Sequence, residues 1–238
     1  MFVTSPKLIL GCAVAFAVFI LCPSDSEAVT VGHVDDFEDG TTQGWMDGGV
    51  SSNPPIHVLN VGPAGAGDDS LHVRTSGVGG AGGRFVTFSF DSDWTGDYTG
   101  AGVTAIEVEV NNFGVAALDL RLALNGAGGW FTTAPVAVAT GGGWLSPISF
   151  PVTSAGLSYI SGGTGTLSDT LTSVSQIELY SAAGAPLVGG GGSGVPKGDV
   201  IDANAYFDNI SAIPEPSTLT LAALGLLSLG MTRRRRRR

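Results

Sequence analysis

The chain has 238 residues, 37 of them glycine and 12 proline, with 43% hydrophobic and 13% charged side chains and a formal net charge of −10. That length fits one globular domain plus targeting segments. The low charge excludes a disordered chain, and glycine without a three-residue period excludes collagen. Residues 29–213 hold 18 Asp/Glu against four Lys/Arg (Arg74, Arg84, Arg121 and Lys197), a balance of −14. Six of the remaining basic residues form the run Arg233–Arg238. A body this acidic repels phosphate backbones, which excludes nucleic acid as its partner.

At the amino terminus Lys7 precedes the apolar run Leu8–Leu21, followed by Pro23 and then Ser26-Glu27-Ala28. A positive start, a short apolar core and a small-x-small site describe a secretory signal peptide over residues 1–28. It would be delivered through the Sec translocon and cut after Ala28. The run is too short for the roughly 20 residues of a spanning helix. Leu21 stands before Cys22 where a lipoprotein signal wants a small residue. Both cysteines, Cys12 and Cys22, fall in the removed segment, so the mature chain has no disulfide and depends on packing or bound ions.

The body, residues 29–213, reads as strands. Val86, Phe88 and Phe90 alternate with Thr87 and Ser89, and Ile106, Val108 and Val110 alternate with Glu107 and Glu109. Leu118, Leu120, Leu122 and Leu124 alternate with Asp119, Arg121 and Ala123, and Ile148, Phe150 and Val152 continue the pattern. A weaker copy lies at Ile177 and Leu179. Period two predicts strands with one face in a core and the other toward water. Val29–Val34, Ile56–Val61, Leu71–Arg74 and Tyr206–Ile210 are further strand candidates. No stretch of the body keeps a helical period for ten residues. Nine or ten short strands joined by Gly/Pro/Asn/Asp turns predict an all-β fold, an antiparallel β-sandwich of the jelly-roll kind. Gly162–Gly165 and Gly184–Gly198 read as low-complexity loops, the second mobile at its Gly189–Gly194 centre.

Few motifs carry chemistry. Gly77–Gly82 and Gly189–Gly194 both fit G-x-G-x-x-G, but neither opens a helix, so neither is a phosphate cradle. His33, His57 and His72 stand singly, which argues against zinc. Glu107 and Glu109 share a strand face at about 6.8 Å, a spacing compatible with paired carboxylates in glycan hydrolysis or with a solvated face. Asp91-Ser92-Asp93-Trp94-Thr95-Gly96-Asp97 has the opening spacing of a calcium loop, but Gly102 stands where the closing glutamate belongs. Trp45, Trp94, Trp130 and Trp144 are either core indoles or sugar-stacking platforms.

Asp35-Asp36-Phe37-Glu38-Asp39-Gly40 with Gly44-Trp45, and Tyr206-Phe207-Asp208-Asn209-Ile210, resemble the opening "F-E-D-G…G-W" and closing "D-N-I" strands of carbohydrate-binding-module jelly rolls. The resemblance implies that the first and last strands meet at one edge and share a structural calcium. Carried over by position, Glu38 and Asp208 are its carboxylate ligands, with backbone carbonyls completing the shell.

The carboxyl end reads Pro214-Glu215-Pro216, an apolar helix over 219–231, and the arginine tail 233–238. The run is marginal for a stable span, and the arginines hold the cytoplasmic side. This order resembles the PEP-CTERM sorting signal over residues 214–238. The resemblance implies an exosortase that recognises the tripeptide and removes the tail. It also implies transient residence in the inner membrane and final placement at the cell surface or in the extracellular matrix. Together these features predict a non-enzymatic exoprotein that associates with extracellular polysaccharide. The alternatives are a structural exoprotein without a ligand and a hydrolase or lyase using Glu107 and Glu109.

Overall fold

A computed structural model describes residues 29–80, 82–189 and 194–215. The signal peptide with Ala28, the last residue of the tripeptide, Pro216, and the apolar segment 219–231 lie outside the described residues. Among the described residues no helix is long and apolar enough to cross a membrane.

In chain order come β1 (Val34–Asp35), β2 (Ile56–Val58), β3 (Ser70–Ser76), β4 (Val86–Ser89) and α1 (Tyr98–Ala101). Then follow β5 (Val103–Asn112), β6 (Leu118–Gly126), β7 (Gly129–Thr133), β8 (Val136–Val138), β9 (Ile148–Pro151) and β10 (Leu157–Ser161). The chain closes with α2 (Leu167–Leu171), β11 (Gln176–Ser181), β12 (Leu187–Val188), β13 (Pro196–Lys197) and β14 (Asp202–Pro214). One sheet has the order β2-β3-β14-β5-β9, with β1 joining β14. The other has the order β10-β7-β6-β11-β4, with β8 joining β6, and β12 and β13 form a separate ribbon. The strand pairings between these elements are antiparallel, so the expected β-sandwich is the fold.

Two facing rows of alternate side chains build the core. Ile106, Val108 and Val110 of β5, with Leu71, Val73 and Phe207, meet Leu118, Leu120, Leu122 and Leu124 of β6 and Ile177 and Leu179 of β11. Each fully buried Leu, Ile, Val or Phe contributes about 1.5–3 kcal/mol by leaving water. One end of the core is closed by Trp45 and Trp94, whose Nε1–H groups both donate to Asp35 Oδ2 at 2.6 Å. His33 Nε2 holds the other Asp35 oxygen at 2.7 Å. Burial pushes the Asp35 carboxyl up, against these hydrogen bonds and the nearby histidine. Trp130 is also buried, and Trp144 is half-buried with its Nε1–H on the Val61 carbonyl, so no tryptophan of the sandwich is an exposed platform.

Four expectations change. In β4 the alternation is inverted, with Thr87 and Ser89 buried and Phe90 exposed. The Val29–Val34 strand contracts to β1, which takes over the edge of β14 where β3 ends, pairing Val34 with Ser211 and Asp35 with Ile210. The flanks of the Gly184–Gly198 loop are ordered as β12 and β13. The water-facing side of β6 and β11 is covered as well. Ala123, Trp130, Tyr180 and Ala182 form a second cluster, with Val86, Ile160 and Val195 packed on it. Arg121 lies under this layer and donates to the carbonyls of Ala182, Thr133 and Gly184. A second layer from the segment after β11 therefore replaces solvent on that face.

Candidate functional site

The outward face of the first sheet carries the predicted carboxylates. Along β14, Ala203, Ala205 and Phe207 point into the core, so Tyr206 and Asp208 point out. Asn209 then adopts φ 49°, a left-handed conformation that asparagine tolerates, and the register with β5 shifts between Asp208 and Ser211. The bulge returns Ile210 and Ala212 to the core and leaves Asp208 directly opposite Glu109. Asn209 locks both carboxylates: its N–H donates to Asp208 Oδ1 at 2.7 Å, and its Nδ2 donates to Glu109 Oε2 at 2.9 Å.

Two loops fold over this pair. Phe37, at φ 58° and fully buried, pins the first, with its N–H donating to Gln43 Oε1. Glu38 follows it, and Glu38 Oε1 accepts from the Asp69 N–H at 2.7 Å. The second loop, 60–69, brings Asp68 and Asp69. Asp69 Oδ1 accepts from the Asn60 N–H at 2.9 Å and Oδ2 engages His57 Nε2 at 2.8 Å. A methyl group added at Gly62 would run into the Asp68 carboxyl and the Asp69 carbonyl, so that turn needs glycine.

Asp208 has no exposed surface, and its pKa is pushed up to about 7. Burial is the main cause, opposed by the Asn209 N–H and reinforced by the carboxylates of Asp68, Glu109 and Glu38. Ser70, one register position beyond the Leu71–Phe207 pair and so beside Asp208, has a buried Oγ with no hydrogen-bond partner among the described residues. The structure thus brings Glu38 and Asp208 to one acidic cluster and adds Glu109, Asp68 and the Ser70 hydroxyl. Among the described residues no three His, Asp or Glu side chains already stand as a metal-holding set. Glu109 reads in sequence as half of a solvent-facing pair with Glu107. The cross-strand register, which period two does not reveal, is what sets it against Asp208 while Glu107 faces Ser211 and Ser149.

The other sequence candidates are occupied elsewhere. In the 91–97 loop, Asp91 Oδ1 accepts from the Asp93 N–H, and Asp97 caps α1 through the Gly100 N–H. His33, His57 and His72 are in separate places, bonded to Asp35, Asp69 and Asn204. Gly77–Gly82 lies between β3 and β4 without a helix after it.

At the carboxyl end β14 runs through Pro214, opposite Val103, and the Glu215 N–H donates to the Gly102 carbonyl at 2.8 Å. The sandwich therefore extends one residue beyond 213 and meets the tripeptide with no spacer. Both Pro214 and Glu215 are exposed. The family model of the PEP-CTERM protein-sorting motif matches residues 212–237, which span the tripeptide, the apolar run and nearly all of the arginine tail. The chain carries a PEP-CTERM sorting motif. This makes it an exported protein that an exosortase processes for placement at the surface.

No curated protein matches the chain in sequence. A solved structure of an exo-beta-agarase shares the fold, with a TM-score of 0.54 at 11% identity over 79% of this chain and 25% of the agarase. The chain thus spans about a quarter of that protein's length. A family 11 carbohydrate-binding module of Clostridium thermocellum, in complex with a beta-1,3-1,4-mixed-linked tetrasaccharide, gives a TM-score of 0.47. That likeness has 17% identity over 78% of this chain and 99% of the module. The family 11 module of a cellulosomal cellulase from the same organism gives 0.49 at 15% identity, over 78% and 96%.

Proposed function

We propose that this PEP-CTERM protein is a non-catalytic exoprotein. It crosses the inner membrane through the Sec translocon, loses residues 1–28 after Ala28, and is held by segment 219–231 until an exosortase cuts at Pro214-Glu215-Pro216. The observation that carries this reading is the sorting motif directly abutting a folded sandwich. Because β14 ends at Pro214, cleavage beyond that residue releases a body whose last strand is complete. The charge of the body keeps it soluble and away from other acidic polymers at long range.

The destination is a polysaccharide-rich surface, and association with extracellular polysaccharide is the role we assign to the body. A half-exposed aromatic patch on the outer face of the first sheet supports it. There Phe113 stacks on Tyr206 with centroids 4.3 Å apart, and His72 lies 5.2 Å from Tyr206. Aromatic surfaces of this kind take the apolar face of a sugar ring. The exo-beta-agarase that shares the fold is a second, weaker support.

We also assign one structural calcium to the acidic cluster. The donors are all oxygen, as a hard cation requires: Asp208, Glu38, Glu109 and Asp68 carboxylates and the unpartnered Ser70 hydroxyl. A cation there would offset the repulsion among these carboxylates, which adds to burial in raising the Asp208 pKa. It would tie the first loop to the last strand.

Incubation of the secreted protein with polysaccharide from its host, followed by sedimentation, tests the association. Retention that falls on Phe113→Ala is expected. A protein that stays in the supernatant with every polymer offered leaves a structural exoprotein without a ligand.

A further inference from the structure

A cavity of about 410 Å³ lies over the second sheet, beside β13, and its residues have no part in the acidic cluster. Glu178 of β11 lines it. Its side chain is fully buried, and neither carboxyl oxygen has a hydrogen-bond partner among the described residues. A buried carboxyl without partners is costly and demands an occupant for the space it faces. Burial, with the Asp47 carboxylate close by, pushes this carboxyl well up, toward the protonated form that offers one donor and one acceptor.

The rest of the lining has a different character. Phe88, the cross-strand neighbour of Glu178, and Pro196 give apolar wall. Arg84 and Lys197 also line the cavity, half-buried and exposed respectively. They are two of only four basic residues in a body of net −14. The ion pairs among the described residues are all histidine with aspartate, so neither cation is neutralised by a carboxylate. Arg84 spends one nitrogen, Nη1, on the Gly198 carbonyl at 2.7 Å. Arg121, by contrast, is consumed by three carbonyls. Asp47 also lines the cavity, with its oxygens accepting from the Gly48 N–H and the Ser51 hydroxyl. The hydrogen-bonding floor, apolar wall and two cations at the mouth suit a ring with hydroxyls on one side and a carboxylate on the other. The volume is in the range of small-molecule sites, about 300–1,000 Å³.

We propose that this cavity binds one acidic glycosyl unit, a uronate, with its carboxylate at Arg84 and Lys197 and a ring hydroxyl on Glu178. The inference rests on the polysaccharide reading and names the acidic, rather than neutral, sugar as the unit recognised. The local basic mouth selects such a unit at short range although the body as a whole is acidic.

Calorimetric titration of the full-length protein with α-1,4-trigalacturonate and with maltotriose tests it. Trigalacturonate is expected to bind at least about tenfold tighter, and Lys197→Glu, at an exposed side chain, to abolish that preference. Glu178→Leu, which removes the hydrogen-bonding group of the floor, is expected to lose binding. Equal affinity for the two trisaccharides, or an unchanged preference in Lys197→Glu, overturns the inference. If trigalacturonate fails to bind while the protein still sediments with polysaccharide, the cavity assignment falls and the association stands. If neither occurs, both fall.

Discussion

Replacing Glu178 by glutamine removes a proton that the folded protein holds far more tightly than the unfolded chain does. The carboxyl is fully buried, its oxygens are unpartnered, and both burial and Asp47 raise its pKa well above the ordinary glutamate value. For a carboxyl raised on folding, the folded state binds more protons than the unfolded one between the two pKa values. Stability is therefore greatest below the ordinary glutamate range near 4.3 and is lost as pH rises, until Glu178 itself ionises. While the proton stays on, each pH unit costs about 1.4 kcal/mol. For a body of this size that corresponds to a Tm difference of about 3–6 °C per pH unit. Glutamine has the same shape and no proton to lose. Thermal unfolding of wild type and Glu178→Gln from pH 5 upward should show the variant gaining on the wild type at up to that rate as pH rises. Asp35 and Asp208 are present in both proteins, so their contributions cancel in the difference. Parallel pH profiles would refute the claim that Glu178 is carried buried and protonated.

Asp35→Ala should cost about 3–5 kcal/mol in urea denaturation, because it strands the Trp45 and Trp94 indole N–H groups without their shared acceptor. Calcium at a hundredfold excess over its Kd should stabilise the wild type by about 2.7 kcal/mol and leave Asp208→Asn unmoved; equal shifts in both would remove calcium from the cluster. Gly198→Ala should destabilise by about 1–3 kcal/mol, since the added methyl meets the Phe85 backbone and would push the β12–β13 ribbon off the sheet.

The strands with one wet face were legible in the sequence. Ile106, Val108 and Val110 lie in the core and Glu107 and Glu109 on the outer face, as their alternation implies. β7 escaped notice because Gly129–Thr133 is buried on both faces and shows no alternation. The same covering layer hid Glu178, which reads in sequence as an ordinary polar residue between Ile177 and Leu179. What covers a sheet face is decided by residues elsewhere in the chain, here Ala182 and Val195 with Trp130, and local periodicity carries no trace of it. The carboxylate cluster was half legible. The resemblance pointed to Glu38 and Asp208, but Asp68 and Glu109 reach them through a loop closure and a register that only the folded chain displays. The tryptophans were ambiguous in sequence, and Asp35, which accepts from two indoles at once, is the residue that places Trp45 and Trp94 inside.

The intact mass of the protein recovered from the medium and membranes of its host tests the central claim most directly. An exported exosortase substrate gives a species running from Val29 to the Pro214–Pro216 region, with the arginine tail gone. A membrane-bound species that still ends at Arg238 would contradict processing and make the tail a permanent anchor.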